Sequence, residues 1–542
     1  MKRKSLAAFM AVSMLASVSG CGNSNVGNSL APALENTVSQ ESGEEVAVSD
    51  SEETNSLDTV DQVSNEDMDE ITMVCSAMGM VPTGLQAVED AVNEITESEI
   101  NTHVTIEMIE AGSYPQQINL KISSGEPFDL MITRPVGSAC YSSMAAQHQF
   151  MDISDLLEEY GQGILDTVGN TLAATTTGDQ VFGVPTWRSM VSSAYICMRT
   201  DVLEDLGLLE KAENMTSFSE YEEIMQAVSE SEKWNYLAPM VAGDNEGTCL
   251  ALDSCYLGND KFSDVSAYDQ LGDLNRMIAV NPDGSNPTVI SNFESEEYRK
   301  MYDRMKDWYD KGYVYKDAAT QTDSGSNLVK ANVGFSYLAQ GEIGMETSQT
   351  NMCGMPMTCV KVMTLPISTS SCTKFVWTIP QNSQSPEAAM KFLNMMYTDE
   401  RIANLLAWGI EDVNYTVKDG VATFIEGEDA NNCTYHTNDF LYGNQFLVLP
   451  WEGQEANLRE IASEEMENCE TSVYLGFSCD TTSLSNELTA LSNVISEYRP
   501  SVNAGIASEE DYEAFIEKLH NSGLDKVIQT YQEQLDAWLE SN

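Results

Sequence analysis

The stretch that most constrains the fold is residues 177–200, TGDQVFGVPTWRSMVSSAYICMRT. Gly178-Asp179 reads as a turn, Val181-Phe182 as a short apolar extended run, and Gly183-Val184-Pro185-Thr186 as a break. Pro185 has no N–H to give to a ladder, so it belongs at a strand end or at a crossing. Ser193–Arg199, SAYICMR, is a second extended run, and a helix of different composition opens at Asp201. Two structures satisfy this pattern. One is an ordinary hairpin inside one domain. The other is a strand pair by which the backbone leaves one lobe and enters another, with Trp187 and Arg188 at the mouth between them. A chain of 542 residues exceeds what one core organises, so two or more lobes are expected.

Upstream, the spacing predicts a parallel α/β layer. Residues 71–76 are a nearly continuous apolar run, as in a central parallel strand. Leu85, Val88, Val92 and Ile95 share one helical face. Residues 103–109 alternate as a second strand, and FDLMIT at 128–133 is a third after a helix around 115–123. In such sheets ligands sit beyond the carboxyl ends of strands, here Met78-Gly79-Met80 and Thr133-Arg134-Pro135.

Downstream, Ser217 and Glu220 form a capping box. Tyr298, Met301, Tyr302, Met305, Trp308 and Tyr309 make a stripe that reads as core, not as a ligand box. Leu338-Ala-Gln-Gly-Glu-Ile-Gly-Met345 reads as a helix end, a glycine cap and then a strand. Pro366 ends an extended run and marks a second crossing. Ser385-Pro386-Glu387 starts a helix with Ser385 as N-cap. Residues 484–538 carry three amphipathic helices.

The net charge is −58, from 27 Lys and Arg against 85 Asp and Glu. Such a surface repels phosphate backbones and anionic lipid headgroups, which excludes nucleic-acid binding. Residues 1–21 combine a basic start, Lys2-Arg3-Lys4, with an apolar run ending at Val18-Ser19-Gly20-Cys21. That ending resembles the lipobox of bacterial lipoproteins, in which the cysteine becomes the lipid-modified N-terminus. Residues 22–69 are polar and acidic without Lys, Arg or aromatic residues. They read as a disordered tether. Of the 12 cysteines, an odd number remains without Cys21, and none has zinc-ligand spacing. Cys75 and Cys197 read as buried small hydrophobes, and so many thiols suit an anaerobic habitat.

No nucleophile elbow, HExxH, Walker or dinucleotide motif is present. The four histidines are isolated, and Asn281–Asn286 reads as a turn, not a calcium loop. No cofactor and no metal site are expected. Basic residues are scarce, yet Arg134 and Arg188 each follow a strand terminus, and Trp187 adjoins Arg188. An aromatic face plus a donor fork suits a polyhydroxylated or carboxylated ligand. A surface arginine paired with an acid would give the same sequence.

With these residues, the chain resembles the extracellular solute-binding lipoproteins of bacterial ABC importers, carbohydrate type, the group that includes maltose-binding protein. The matches run in order: VSGC at 18–21, FDLMIT at 128–133, DQVFGVPT at 179–186, LAQGEIGM at 338–345, SPEAAMKFLNMMYTD at 385–399 and GLDKVIQTYQEQLDAW at 523–538. That ending, with AWGIE at 407–411 and YTVKDG at 415–420, resembles the aldouronate or oligosaccharide transport subgroup. The sequence departs from the subgroup at Asp412-Val413-Asn414 and in its long tether.

The resemblance implies an α/β fold of two lobes closing on ligand as a hinged trap, with a helical C-terminal part. Lobe 1 is expected at 70–190 plus 361–425, and lobe 2 at 191–360 plus 426–542. It implies a monomeric, non-enzymatic capture protein, anchored to the outer face of the membrane by Cys21. Its ligand would be an oligosaccharide, a uronic-acid-bearing one among the candidates, and its partner an ABC permease. The expected ligand-binding residues are Met80, Thr133, Arg134, Trp187, Arg188, Tyr195 and Tyr415. The rival readings are a lipid-anchored glycan-degrading enzyme and a binding lipoprotein for peptides or another solute.

Overall fold

Two sheets of opposite character divide the chain. Their strands are β1 (Asp69–Ala77), β2 (Thr102–Glu110), β3 (Leu130–Ile132), β4 (Val184–Pro185), β5 (Ser193–Arg199), β6 (Ala238–Met240), β7 (Gly334–Gly341), β8 (Met357–Thr364) and β9 (Val376–Thr378). The computed structural model describes residues 68–77, 80–135, 137–241, 259–264, 267–273, 275–321, 323–429 and 432–541. Cys21, the leader and nearly all of the expected tether lie outside them.

The first sheet has the order β2-β1-β3-β9-β4. β1 runs parallel to β2 and to β3, and β9 is antiparallel to both β3 and β4. β1 is buried from Met73 onward, as its unbroken apolar run requires of a strand covered on both faces. Helices Leu85–Ile100, Tyr114–Ser124 and Pro386–Thr398 supply Val88, Val92, Tyr114, Ile118, Phe392 and Leu393 to this core. Asp129 knits it together. One carboxylate oxygen accepts from Thr72 N at 3.0 Å, the other from Ser383 Oγ at 2.7 Å and Ser385 N at 3.1 Å. Ser385 holds the expected N-cap position with Pro386 opening the helix, but its side chain makes no capping bond.

The second sheet has the order β8-β5-β7-β6, with β5 antiparallel to β7 and β8, and β7 parallel to β6. Ala194, Ile196, Met198, Phe335 and Leu338 face a thick helical layer. That layer contains the Tyr298–Trp308 stripe as core, together with helices Ser485–Asn503, Glu509–Asn521 and Leu524–Ser541. The other face, with Tyr195, Cys197, Tyr337 and Ala339, packs on Leu328, Val329, Met345 and Cys353.

Three expectations are resolved here. β4 lies in the first sheet and β5 in the second, so residues 186–192 are a crossing and not a hairpin turn. Leu338 to Gly341 is the end of strand β7, and the helix Met345–Cys353 follows it, the reverse of the expected order. A strand buried on both faces lacks the alternation that separates strand from helix. Finally, residues 426–451 do not pack wholly with the second lobe. Tyr435, Leu441 and Tyr442 are in the first core, where the Trp377 indole donates to Leu441 O at 2.9 Å. Gly443 makes this approach possible: it has φ +50°, and a Cβ there would lie 2.1 Å from Met396 O. The chain re-enters the second core only at Tyr474 and Phe477.

Among the described residues, Cys75, Cys140, Cys197, Cys353, Cys359, Cys372, Cys433, Cys469 and Cys479 are free thiols. Cys75 and Cys197 are fully buried in strands. No described helix is long and apolar enough to cross a membrane.

Candidate functional site

The chain thus passes between the two cores three times, over residues 186–192, 365–375 and 452–472. The passages pack on each other in a small cluster of their own. Met190 and Val191 come from the first, Ile367 and Cys372 from the second, and Met466 and Cys469 of the third lie against them. The backbones interlock as well: Leu365 N donates to Ser192 O at 2.7 Å, and Ser472 N to Ile367 O at 2.8 Å. Apolar packing here leaves the polar side chains of the crossings gathered at the ends of β5, β7 and β8.

Arg188 is the centre of that group. Its Nη1 donates to Ser189 O at 2.6 Å and to Glu342 Oε1 at 3.0 Å, and its Nη2 to Ser371 O at 2.9 Å. Its guanidinium lies 5.9 Å from the Phe375 ring centroid, and the residue is 3% exposed. Arg188 thereby ties the first crossing to the second and to the end of β7. The expected ligand fork is committed to protein partners.

Trp187 is half-buried between the first core and the crossing cluster. Its N donates to Gly443 O and its O accepts from Gln445 N, each at 2.8 Å. The Phe446 ring centroid is 6.2 Å away. An aromatic pair held in this way, one side packed and one reachable, is the form a sugar-stacking platform takes.

The other expected residues divide. Arg134 Nη1 donates to Ser76 Oγ at 2.8 Å, bridging the carboxyl ends of β1 and β3. Burial lowers its pKa. Met80 stands free beyond β1, 83% exposed. Thr133 is fully buried. Its Oγ1 accepts from Val376 N at 3.0 Å, so the hydroxyl serves the sheet and is not offered to a ligand. Tyr195 is buried on the second sheet's opposite face. There it helps line a groove of ≈ 490 Å³ with Glu346, Lys361, Glu464 and Glu465. Burial pushes its phenol well above the usual range. Tyr415 is 4% exposed in a separate cluster with Trp408 and Val448. Its phenol is pushed up to about 12, first by burial and then by Glu411. The site thus brings Trp187 and Arg188 together and leaves Tyr195 and Tyr415 elsewhere.

Arg276, Gln340, Glu342 and Lys374 were absent from the sequence expectation. Asp273 builds the turn that aims Arg276: its carboxylate accepts from Asn275 N at 3.0 Å and Met277 N at 2.5 Å. Arg276 itself takes φ +56°, a costly conformation for a residue with a Cβ. Its Nη2 reaches Gln340 Oε1 at 3.5 Å, and Gln340 Nε2 donates to Ser192 Oγ at 2.9 Å. Lys374 has its pKa brought down to about 8, by burial first and Arg188 second, with Glu342 and Arg276 also acting on it. The scarcity argument that singled out Arg134 and Arg188 applies equally to Lys374, eight residues beyond the Pro366 break. Among the described residues no group of three or more His, Cys, Asp or Glu forms a metal site.

Comparison with known proteins gives this arrangement a family. Residues 90–422 match the model of the bacterial extracellular solute-binding proteins. The chain belongs to that family. Residues 473–540 match a domain of unknown function that covers the three C-terminal helices of this solute-binding protein. A carbohydrate ABC transporter substrate-binding protein of Streptococcus pneumoniae is 21% identical over 468 residues, 86% of this chain and 90% of that protein. Lipoprotein LipO of Bacillus subtilis is 24% identical over 348 residues, 61% of this chain and 65% of that protein. The N-glycan transport solute-binding protein NgtS of Streptococcus pneumoniae superposes with a TM-score of 0.71 at 18% identity, covering 87% of this chain and 99% of that one. The fold is accordingly the two-lobe, hinged α/β fold of solute-binding proteins, with a helical C-terminal part.

Proposed function

We propose that this protein captures an oligosaccharide between its two lobes and delivers it intact to an ABC permease, held at the outer membrane face by a lipid on Cys21. The observation that carries the reading is the three-stranded passage between two sheets, with Trp187, Arg134 and the Arg188–Lys374 group gathered at its strand ends. A ligand touching both lobes favours the closed arrangement by its differential contacts. Relatives named for carbohydrate and N-glycan transport supply the substrate class. LipO supports the lipid anchor, and residues 22–69 would then be the tether that lifts the trap from the bilayer. Trp187 is the stacking surface we assign to a sugar ring.

A thermal-shift screen over oligosaccharides, followed by chromatography of the recovered ligand, tests this. A ligand at about 100 times its Kd adds roughly 2.7 kcal/mol and is recovered whole. Cleavage of the stabilising ligand would replace capture with catalysis.

A further inference from the structure

β5 and β8 set two cysteines opposite each other. Cys197 and Cys359 are register partners in this antiparallel pair, so both side chains leave the sheet on the same face. Thr200 N donates to Pro356 O at 3.1 Å, and hydrogen-bonded and non-hydrogen-bonded pairs alternate along an antiparallel ladder. By that alternation Cys197 and Cys359 form a non-hydrogen-bonded pair. The Cys359 N–H agrees, since it turns outward and donates to Glu346 Oε2 at 3.3 Å. In such pairs the Cα atoms lie about 4.5 Å apart, inside the range of about 4.4–6.8 Å that a disulfide spans. The two side chains also hydrogen-bond to each other, and both are free thiols. They differ in access. Cys197 is fully buried, with Tyr337 of β7 as its partner on the other side. Cys359 lies on the edge strand β8, is partly exposed, and opens into the groove of ≈ 490 Å³. Lys361 in that groove is paired with Glu465 at 2.8 Å, so Glu346 and Glu464 leave the lining negative.

We infer that Cys197 and Cys359 form a reversible thiol–disulfide switch, entered at Cys359 through this acidic groove by a small cationic or uncharged disulfide. The Cys359 thiolate attacks one sulfur of the incoming disulfide, which forms a mixed disulfide and releases the first small thiolate. Cys197 then loses its proton to that thiolate and attacks Cys359 Sγ, which closes the bridge and expels the second. In sum, two protein thiols and one small disulfide become one protein disulfide and two small thiols. Burial first, and the Cys359 thiol second, push Cys197 well above the usual thiol range. It therefore reacts with a sulfur the ladder holds against it, not with one from solvent, and closure is the slow step. The bridge ties the edge strand β8 to β5 inside the second lobe. A register irregularity between Lys361 and Met363 separates it from the second crossing, so the hinge stays free. Oxidation braces one lobe and does not depend on what the protein captures.

The test treats the purified, fully reduced protein with cystamine at mildly alkaline pH, quenches samples with iodoacetamide over time, and maps them by peptide mass spectrometry. The expected course is a cysteamine adduct on Cys359, then its loss as a peptide pair joined through Cys197 and Cys359 appears, all reversed by dithiothreitol. Cys197→Ala should stop at the adduct, and Cys359→Ala should leave Cys197 unmodified. The bridged protein should melt above the reduced one, a shift absent in Cys359→Ala. Oxidised glutathione, an anion, should modify Cys359 more slowly than cystamine does. The time course of the parent protein decides the matter even where Cys197→Ala folds poorly. A Cys359 adduct that never closes, a bridge from Cys359 to the neighbouring Cys353 in its place, or oxidised glutathione reacting as fast as cystamine overturns the inference. Each of these outcomes leaves the capture of an oligosaccharide untouched.

Discussion

The first and second crossings run side by side, yet they treat positive charge in opposite ways. Arg188 in the first spends its donors on Ser189 O, Ser371 O and Glu342. Lys374 in the second has no partner at all among the described residues. Both lie in the same pinched region between two cores. Burial alone therefore does not set the difference. Arginine offers a fork of donors that can close several gaps at once, and lysine a single compact charge that a ligand can claim. One crossing is built as a strut, and the other carries a charge that no described side chain takes up.

The largest effect expected from breaking this contrast comes from the strut. Arg188→Ala leaves two carbonyls and the Glu342 carboxylate without their donor. Removing one member of a buried, hydrogen-bonded ion pair costs about 3 kcal/mol or more, somewhat less here because Glu342 is 39% exposed in its side chain. Urea unfolding measures it, and Arg188→Lys should restore only part. A loss under about 1 kcal/mol would reduce Arg188 to a surface residue and dissolve the contrast.

Next comes the neighbouring ring. Trp187→Ala should weaken oligosaccharide binding by about 2 kcal/mol, as truncated aromatic anchors do. It should cost the fold less than the roughly 3–5 kcal/mol of a truncated core aromatic. Trp377, fully buried in β9, is the internal standard. If the two variants lose equal stability, Trp187 is core and the platform lies elsewhere.

How far this contrast was legible in the sequence follows from what each signal depends on. Pro185 marked a strand end because a missing N–H is a local fact that tertiary context cannot alter, but the choice between hairpin and crossing became visible only once β4 and β5 fell in different sheets. The β1 run and the Tyr298–Trp308 stripe were legible for the same reason: their periodicity is written in adjacent residues. β7 was misread because burial on both faces erases alternation. The return of residues 426–451 to the first core was invisible, since it rests on scattered contacts such as Trp377 to Leu441 and on Gly443 against Met396. Arg188 does lie on the first crossing, but a sequence cannot say whether a guanidinium is already engaged, and this one is bonded to Ser189 O, Ser371 O and Glu342. Lys374 was missed because it stands out only by making no bond among the described residues, which is visible only in three dimensions.

Lys374→Met sharpens the comparison through pH. The folded-state pKa lies near 8, below the 10.5 of a free lysine, so between those values the unfolded chain holds more protons. Stability of the parent protein should then rise as pH climbs from about 8 to 10.5. At neutral pH the charged lysine is a burden, and Lys374→Met should gain on the order of 1–2 kcal/mol. Chemical denaturation at pH 7 and pH 10 measures both, with the variant flat where the parent climbs. A variant destabilised at pH 7 would show that Lys374 has a structural partner after all.

The smallest expected effect concerns the third passage, where helix Leu458–Asn468 is pinned at both ends. Near its start Arg459 pairs with Asp439, both largely covered, and its Nε donates to Val448 O at 3.0 Å. Near its end Glu465 meets Lys361 at 2.8 Å, with the lysine 46% exposed in its side chain. The first pin joins the helix to the first lobe's segment, and the second joins it to β8. An exposed pair is screened and holds long side chains at an entropic cost, so Lys361→Ala should change stability by no more than about 0.5 kcal/mol. Arg459→Ala removes a covered guanidinium that two acceptors share, and should cost about 1 kcal/mol more. The weaker pin is the one that can let go if the second lobe swings. In 0.5 M salt the Lys361→Ala difference should vanish while that of Arg459→Ala persists. Equal losses at both ends would make the third passage a rigid strut like Arg188, and would leave the lobes only the first two crossings to turn on.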